Sequence, residues 1–444
     1  MPGTRSKRQK TTSSNNHDNM AHVWANLPQA LSAALPKANQ AAHSDGQIKA
    51  FTNSNAITEP ARFGIKAAGG DDAIVVTVAK GKVDIGSGTT RGCEFVLSAL
   101  PEQWQEFMKQ TPVMPYQSFW AIKRVIARMP ANEIEGMFGM NIKQEGIAIE
   151  GDQISFSRWT HIWRRVLELI HDAHSGETPA DIEPETDVDH IVGRYVYVNV
   201  PTWGKCKIFY DSAGEGDQDI VFLHTAGSDS RQYHGVLNDE RMRKKCRMIA
   251  FDLPAHGRSF PYENHLPGIH TNTEDIYVGC IAAVIKKLNL NKPIVCGASM
   301  AGQISLACAW NDQSPFVNQA LYNPEWIYGM MSPTAPLKNR QLIWHLYSAQ
   351  AYGIFHGDLD FYFGGWDGRD RMKTIDTKAC PVYMLTGEYD WSNTPAMSQA
   401  TCDKIPGGKH QAMKGLGHFP ATENPKVFVG YVLEAIDHIQ KTRA

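Results

Sequence analysis

Hydrophobic and polar positions along the chain fall into two regimes, separated by an acidic, proline-bearing linker at 173–189. In the first regime, β-rich runs at 73–78 and 83–85 flank Lys80, Gly81 and Lys82, which predicts a hairpin, and a third strand follows at 93–97. Ser98 and Pro101 stand where the N-cap region and first residue of a helix belong, so a short helix is expected through Trp104 and Phe107. Another strand near 146–150 turns at Gly151 and Asp152. Beyond it Trp159, Ile162, Trp163, Val166, Leu167 and Ile170 share one face of an amphipathic helix. The expected extent of this smaller α+β unit is 58–172. Ahead of it, 1–19 is polar with a basic cluster between Arg5 and Lys10 and reads as a disordered tail; 21–50, interrupted by Pro28 and Pro36, reads as one or two short helices.

From 190 to 444 the pattern changes to apolar strands alternating with helices. Strands are expected at 195–200, 205–211, 219–224, 246–252, 293–297, 318–322, 381–387 and 409–414. The clearest helix spans 273–288, with Ile276, Cys280, Ile281, Val284 and Ile285 on one stripe. Such alternation predicts an α/β fold with a doubly wound, largely parallel sheet covered on both faces. Ligands bind such sheets beyond the carboxyl ends of the strands.

The strand ends carry the unusual residues. The run at 293–297 stops just before Ser299, which is fenced by Gly297, Ala298, Ala301 and Gly302, and a helical pattern begins at once. A strand, sharp turn and helix of this kind holds a serine in a strained conformation with its hydroxyl outward. His224 to Ser228 follow the third strand, Asp252 to Ser259 the fourth, Gly387 to Asp390 the seventh and Gly415 to Pro420 the last. A serine hydroxyl is a weak nucleophile near neutral pH and needs a base; an imidazole titrates in the right range, and a carboxylate fixes its tautomer. Ser299, His418 and Asp390 are the candidates for these roles. Glu388 lies two positions from Asp390, and Asp390 as a plain turn residue and helix cap is the competing reading. His224 and His256 are read as holding loops together.

These motifs, in this order over about 190–440, resemble the serine branch of the alpha/beta-hydrolase superfamily. The resemblance implies a catalytic triad of Ser299, Asp390 and His418, an oxyanion hole formed by the N–H groups of Met300 and Ala226, and a lid between strands six and seven at 326–378. It also offers Glu325 as an alternative acid. The chain departs from the family at Thr225 and Ala255, where glycine is frequent, which implies a narrower oxyanion loop or a shifted substrate path. Trp326, Trp391 and Phe419 are candidates for an apolar substrate pocket. The first unit's order of strands, tryptophan-bearing helix and closing helix is similar to the sterol-carrier-protein-like domain over about 59–171. That likeness implies a small sheet with helices on one side, its aromatic stripe either lining a hydrophobic tunnel or serving as plain core. Its role would be in a homodimer interface or in shaping the mouth of the neighbouring site.

Composition narrows the partners. With 444 residues and 42% hydrophobic content the chain can bury the cores of two or more domains. A net charge of -2 and a pI near 6.8 give no global attraction to nucleic acid or anionic lipid, so a small molecule is the expected partner, and the aromatic residues dense over 326–378 make it a hydrophobic one. The 8 cysteines lack C-x-x-C spacing and read as buried free thiols. The first residues lack the apolar core of an export signal, and no apolar run is long enough for a membrane span, so a cytoplasmic protein is expected. No metal spacing, phosphate loop or dinucleotide fingerprint stands out, and no cofactor is expected. The expected activity is that of a serine hydrolase, a carboxylesterase or lactonase working through an acyl-enzyme. Cleavage of a carbon–carbon bond next to a ketone, and a non-catalytic receptor or lipid-binding protein, are the alternatives.

Overall fold

The computed structural model describes residues 29–109, 123–128, 140–145, 147–177, 187–266, 269–300, 327–351, 353–363, 371–390 and 392–443. The chain forms two compact units: of the described residues, one holds 29–109, 123, 144–145 and 147–177, the other 124–128, 140–143 and those from 187 onward.

The first unit begins with α1 (Gln29–Ser44) and α2 (Gly46–Thr52), followed by β1 (Ala61–Ala67), β2 (Asp72–Ala79), β3 (Lys82–Thr89), β4 (Phe95–Ala99) and α3 (Pro101–Lys109). Next along the chain, β5 (Lys123–Arg128) and β6 (Met140–Glu145) pair with each other. β7 (Ala148–Gly151), α4 (Gln153–Arg158) and α5 (Thr160–Ser175) complete the unit. Its sheet runs β3-β2-β1-β4-β7, with β1 parallel to β4 and the other neighbours antiparallel. The aromatic stripe of α5 is packed core: Trp163 stacks on Phe156 at 5.0 Å, and Phe95 meets the same Phe156 edge-on. Trp104 is fully buried, and its indole N–H donates to the Lys66 carbonyl at 2.9 Å.

Two features of this unit depart from the sequence reading. The unit starts earlier than 58, because α1 continues through Pro36 and packs against α5 and β3, burying Ala34, Leu35, Ala38 and Ala42. An interior proline removes one helical hydrogen bond, and the buried alanine-rich face offsets that loss. β1, which the reading omits, is central to the sheet. Arg62, Gly64 and Lys66 interrupt its apolar run, but Lys66 is tied to Glu150 at 2.8 Å and the strand is held on both sides by β2 and β4.

In the second unit β8 (Val192–Val200), β9 (Gly204–Ala213) and β10 (Gln218–Leu223) lead through α6 (His234–Asn238) and α7 (Glu240–Lys245) to β11 (Cys246–Phe251). α8 (Glu274–Lys287) then precedes β12 (Ile294–Gly297). The Thr273 side chain caps α8, Glu274 and Asp275 occupy its first turn and Lys286 and Lys287 its last, so charge and helix dipole agree. After α9 (Leu337–Ser348) and α10 (Ile354–Phe363) come β13 (Tyr383–Gly387), α11 (Pro395–Cys402), β14 (Lys409–Met413), α12 (Pro420–Glu423) and α13 (Pro425–Arg443).

The sheet order is β12-β10-β11-β9-β8, with β13 and β14 as a separate parallel pair among the described residues. β10 runs parallel to both β11 and β12, with Leu223 level with Phe251 on one side and Gly297 on the other. The loops after these three strands therefore leave one edge side by side. Ile220, Phe222, Met248 and Ala250 bury one face of this sheet against Val429, Val432 and Ile436 of α13. The strand expected at 318–322 lies outside the described residues, as do Glu325, Trp326 and Trp391. Of the described cysteines, all are free and most are buried or half-buried, while Cys380 is exposed. No helix among the described residues is long and apolar enough to cross a membrane.

Candidate active site

β12 ends at Gly297, and two residues later Ser299 takes a φ of +55°, a left-handed conformation that costs a residue with a Cβ about 1–2 kcal/mol. The half-buried serine is followed by the fully buried Met300. On the second pair of strands, Gly387 is level with Met413, so the loops after β13 and β14 emerge together. They touch through their backbones: a Cβ added at Gly387 would lie 2.2 Å from the Gly417 carbonyl oxygen, and the Tyr389 N–H donates to the Leu416 carbonyl at 2.9 Å.

This contact brings Asp390 and His418 together. His418 Nδ1 lies 2.8 Å from Asp390 Oδ2, and the other carboxylate oxygen accepts the N–H groups of Ser392 and Asn393, each at 2.9 Å. Burial alone pushes the imidazole pKa down. The charge and hydrogen bond of Asp390, with the nearby Glu423, outweigh that and hold it above the ordinary histidine value. Nε2 makes no hydrogen bond among the described residues. Glu388 is exposed and accepts the Gly415 N–H at 2.9 Å, which fixes the histidine loop from its far side. Ser299, Asp390 and His418 line one cavity of about 380 Å³, which runs between the facing edges of β12 and β13.

Ala226, in the loop after β10, is buried, and neither its N–H nor that of Met300 donates a hydrogen bond among the described residues. The loop is fixed at every other position. The Thr225 N–H donates to Gln232 Oε1 at 2.9 Å, the Thr225 hydroxyl meets the Tyr347 hydroxyl at 2.8 Å, and the Gly227 N–H donates to Asp358 Oδ2 at 2.7 Å. Thr225, which replaces a frequent family glycine, thus uses its side chain to join the loop to α9. Ala255, the other replacement, keeps the left-handed φ that suits glycine, at +68°. His224 spans the loops as expected, with Nδ1 at 2.9 Å from the Thr225 carbonyl and Nε2 accepting the Leu253 N–H at 3.0 Å.

Phe419 is fully buried, with its ring centroid 4.9 Å from that of His418 in an edge-on contact. One residue that the sequence reading passes over is Glu423. Buried completely, it accepts the N–H groups of Gly417 at 2.6 Å, Phe419 at 2.8 Å and Ser332 at 3.1 Å, gripping the backbone on both sides of His418. Burial pushes its carboxyl up to about 7 against the opposing pull of those three donors. A carboxyl just before Asn424-Pro425 in a short proline-started helix was the only sequence signal, and it reads equally well as a surface residue.

The profile of the alpha/beta hydrolase family matches residues 220–430. Among curated proteins the chain is 26% identical over 148 residues to a dihydrolipoyllysine-residue acetyltransferase component of the acetoin cleaving system of Cupriavidus necator, covering 33% of this chain and 36% of that protein. It is also 26% identical over 118 residues to a 2-hydroxy-6-oxononadienedioate/2-hydroxy-6-oxononatrienedioate hydrolase of Escherichia coli, covering 26% of this chain and 39% of the relative. The chain thus spans little more than a third of the length of these two relatives. A solved thermophilic esterase from Thermogutta terrifontis is similar at 18% identity and a TM-score of 0.45, over 55% of this chain and 99% of that one. The alpha/beta hydrolase family is thus the one that residues 220–430, slightly under half of the chain, match.

Proposed function

We propose that the second unit is a serine hydrolase that cleaves a carboxylic ester or lactone of a hydrophobic small molecule through an acyl-enzyme. The observation that carries this reading is the buried His418–Asp390 pair at 2.8 Å on the cavity that Ser299 also lines. In the proposed reaction His418 Nε2 takes the Ser299 proton as the oxygen attacks the carbonyl carbon. Asp390 keeps the proton of Nδ1 in place and stabilises the imidazolium. The developing oxyanion is received by the N–H groups of Met300 and Ala226, and His418 returns its proton to the leaving oxygen. Water, activated by the same imidazole, then releases the acyl group. Phe419, packed against His418, supports an apolar acyl or alcohol part.

A second reading, hydrolysis of a carbon–carbon bond next to a ketone, is supported by the likeness to the Escherichia coli hydrolase. Both readings use the same three residues and differ in the leaving atom.

A fluorophosphonate probe tests the shared core. It should add its mass to Ser299, and Ser299→Ala should lose both labelling and multiple turnover of aryl esters or lactones. Turnover that persists in Ser299→Ala would sink the serine mechanism, and faster turnover of vinylogous diketones than of any ester would favour the second reading.

A further inference from the structure

A second cluster of reactive side chains lies in the same unit and has no part in the proposed reaction. His256 and His270, from the segment between β11 and α8, meet Asp358 of α10, and one ligand atom from each lies within 4.8 Å of the others. All three are buried, Asp358 completely. The sequence concealed the group, since its members are separated by 14 and 88 positions and show no ligand spacing.

The cluster is incompletely satisfied as a set of hydrogen bonds. His256 Nδ1 is 3.1 Å from the Pro254 carbonyl, which fixes the proton on that nitrogen and aims Nε2 at the carboxylate of Asp358, 2.8 Å away. A backbone carbonyl on one ring nitrogen is the arrangement by which proteins orient a histidine for metal binding through the other. His270 Nε2 is 3.4 Å from Asp358 Oδ1, yet neither atom has a hydrogen-bond partner among the described residues, and the other ring nitrogen of His270 has none either. The hydroxyl of Tyr277, which feels the Asp358 charge, is likewise buried and unpartnered. Each such orphan costs about 1–3 kcal/mol, so several around one carboxylate mark the position of a missing group.

We propose that His256 Nε2, His270 Nε2 and Asp358 Oδ1 bind one structural Zn²⁺. Two imidazoles and one carboxylate suit zinc, whereas Mg²⁺ and Ca²⁺ require more oxygen donors than the three residues hold. Binding removes the proton that His256 Nε2 shares with Asp358 and releases it to solvent, leaving a neutral imidazole on the metal. Asp358 Oδ2 continues to accept the Gly227 N–H at 2.7 Å. The ion therefore ties α10 to the segment after β11 and, through Asp358, to the loop after β10. This assignment stands whether or not Ser299 is a nucleophile.

The test uses the full chain purified without a polyhistidine tag. Elemental analysis after dialysis should find one zinc per chain. Stripping with dipicolinate should lower the Tm by about 5 °C or more, with recovery on adding Zn²⁺ and none on adding Mg²⁺. His270→Gln should lose the zinc and the response to the chelator. If this variant fails to fold, Co²⁺ substituted into the wild-type protein should give the visible absorption of a site with the three named ligands and a water in the fourth position, and a spectrum no different from free aqueous Co²⁺ would overturn the proposal. A zinc-free wild type whose Tm ignores added Zn²⁺ overturns the proposal in favour of buried water, and so does a folded His270→Gln that keeps its full zinc content.

Discussion

His418 Nδ1 and Asp390 Oδ2 stand 2.8 Å apart, while the second oxygen of the same carboxylate is engaged by the Ser392 and Asn393 N–H groups. One carboxylate thus holds both the imidazole and its own turn. In Asp390→Asn the side chain has a single oxygen to serve both partners. Turnover should fall by about 10⁴-fold with the fold intact, because the tautomer is lost. The proposed base works when neutral, so activity rises as His418 deprotonates. Since Asp390 raises the His418 pKa, the acid limb of the wild-type profile should lie above the ~6.5 of a free imidazole, and the limb of Asp390→Asn should move to lower pH. An unmoved limb would separate Asp390 from the base.

Glu423 offers two oxygens to three backbone donors around His418. Glu423→Gln replaces one oxygen with an NH₂ that must face an N–H group, so a loss of about 1–3 kcal/mol in urea unfolding is expected. Activity should fall with it, through displacement of His418. A variant as stable and active as wild type would show that the carboxyl does not hold this loop.

The strained turn at Ser299 makes a separate prediction about stability. With φ at +55°, alanine retains the strain of the serine and glycine does not, so Ser299→Gly should exceed Ser299→Ala in stability by about 0.5–1 kcal/mol, whatever their activity. Equal Tm values would argue that the turn is relaxed.

Gly227 has a φ of +59°, and a Cβ there would lie 2.4 Å from a ring carbon of Phe355. Gly227→Ala should therefore destabilise by about 2–4 kcal/mol, and Phe355→Leu in the same chain should restore part of it. Additive losses in the double variant would mean that the two sites are not in contact.

The sequence made the strand ends legible because parallel strands buried on both faces leave short apolar runs that stop sharply. β10, β11 and β12 fall within about two residues of their expected bounds, and Thr273 marks the start of α8. The pairing of Asp390 with His418 was legible from their places after β13 and β14. What remained hidden depends on tertiary partners. β1 carries two charged residues and a glycine and is a strand only because β2 and β4 flank it; α1 passes Pro36 only because its other face is buried. Glu423 and Asp358 look like ordinary acidic residues until the fold surrounds Glu423 with three backbone donors and Asp358 with the Gly227 N–H and two imidazoles.

The close approach of Gly387 to Gly417 also governs how the site comes apart. With backbone against backbone, neither loop should loosen while the other stays in place, so Asp390 and His418 should share a single opening event. The amide protons of Glu388 and Tyr389, which are bonded to Met413 and Leu416, should exchange with solvent at one common rate. Heat inactivation should then follow the melting of β13 and β14 as a cooperative pair, even in a protein whose Ser299-bearing strands are still folded.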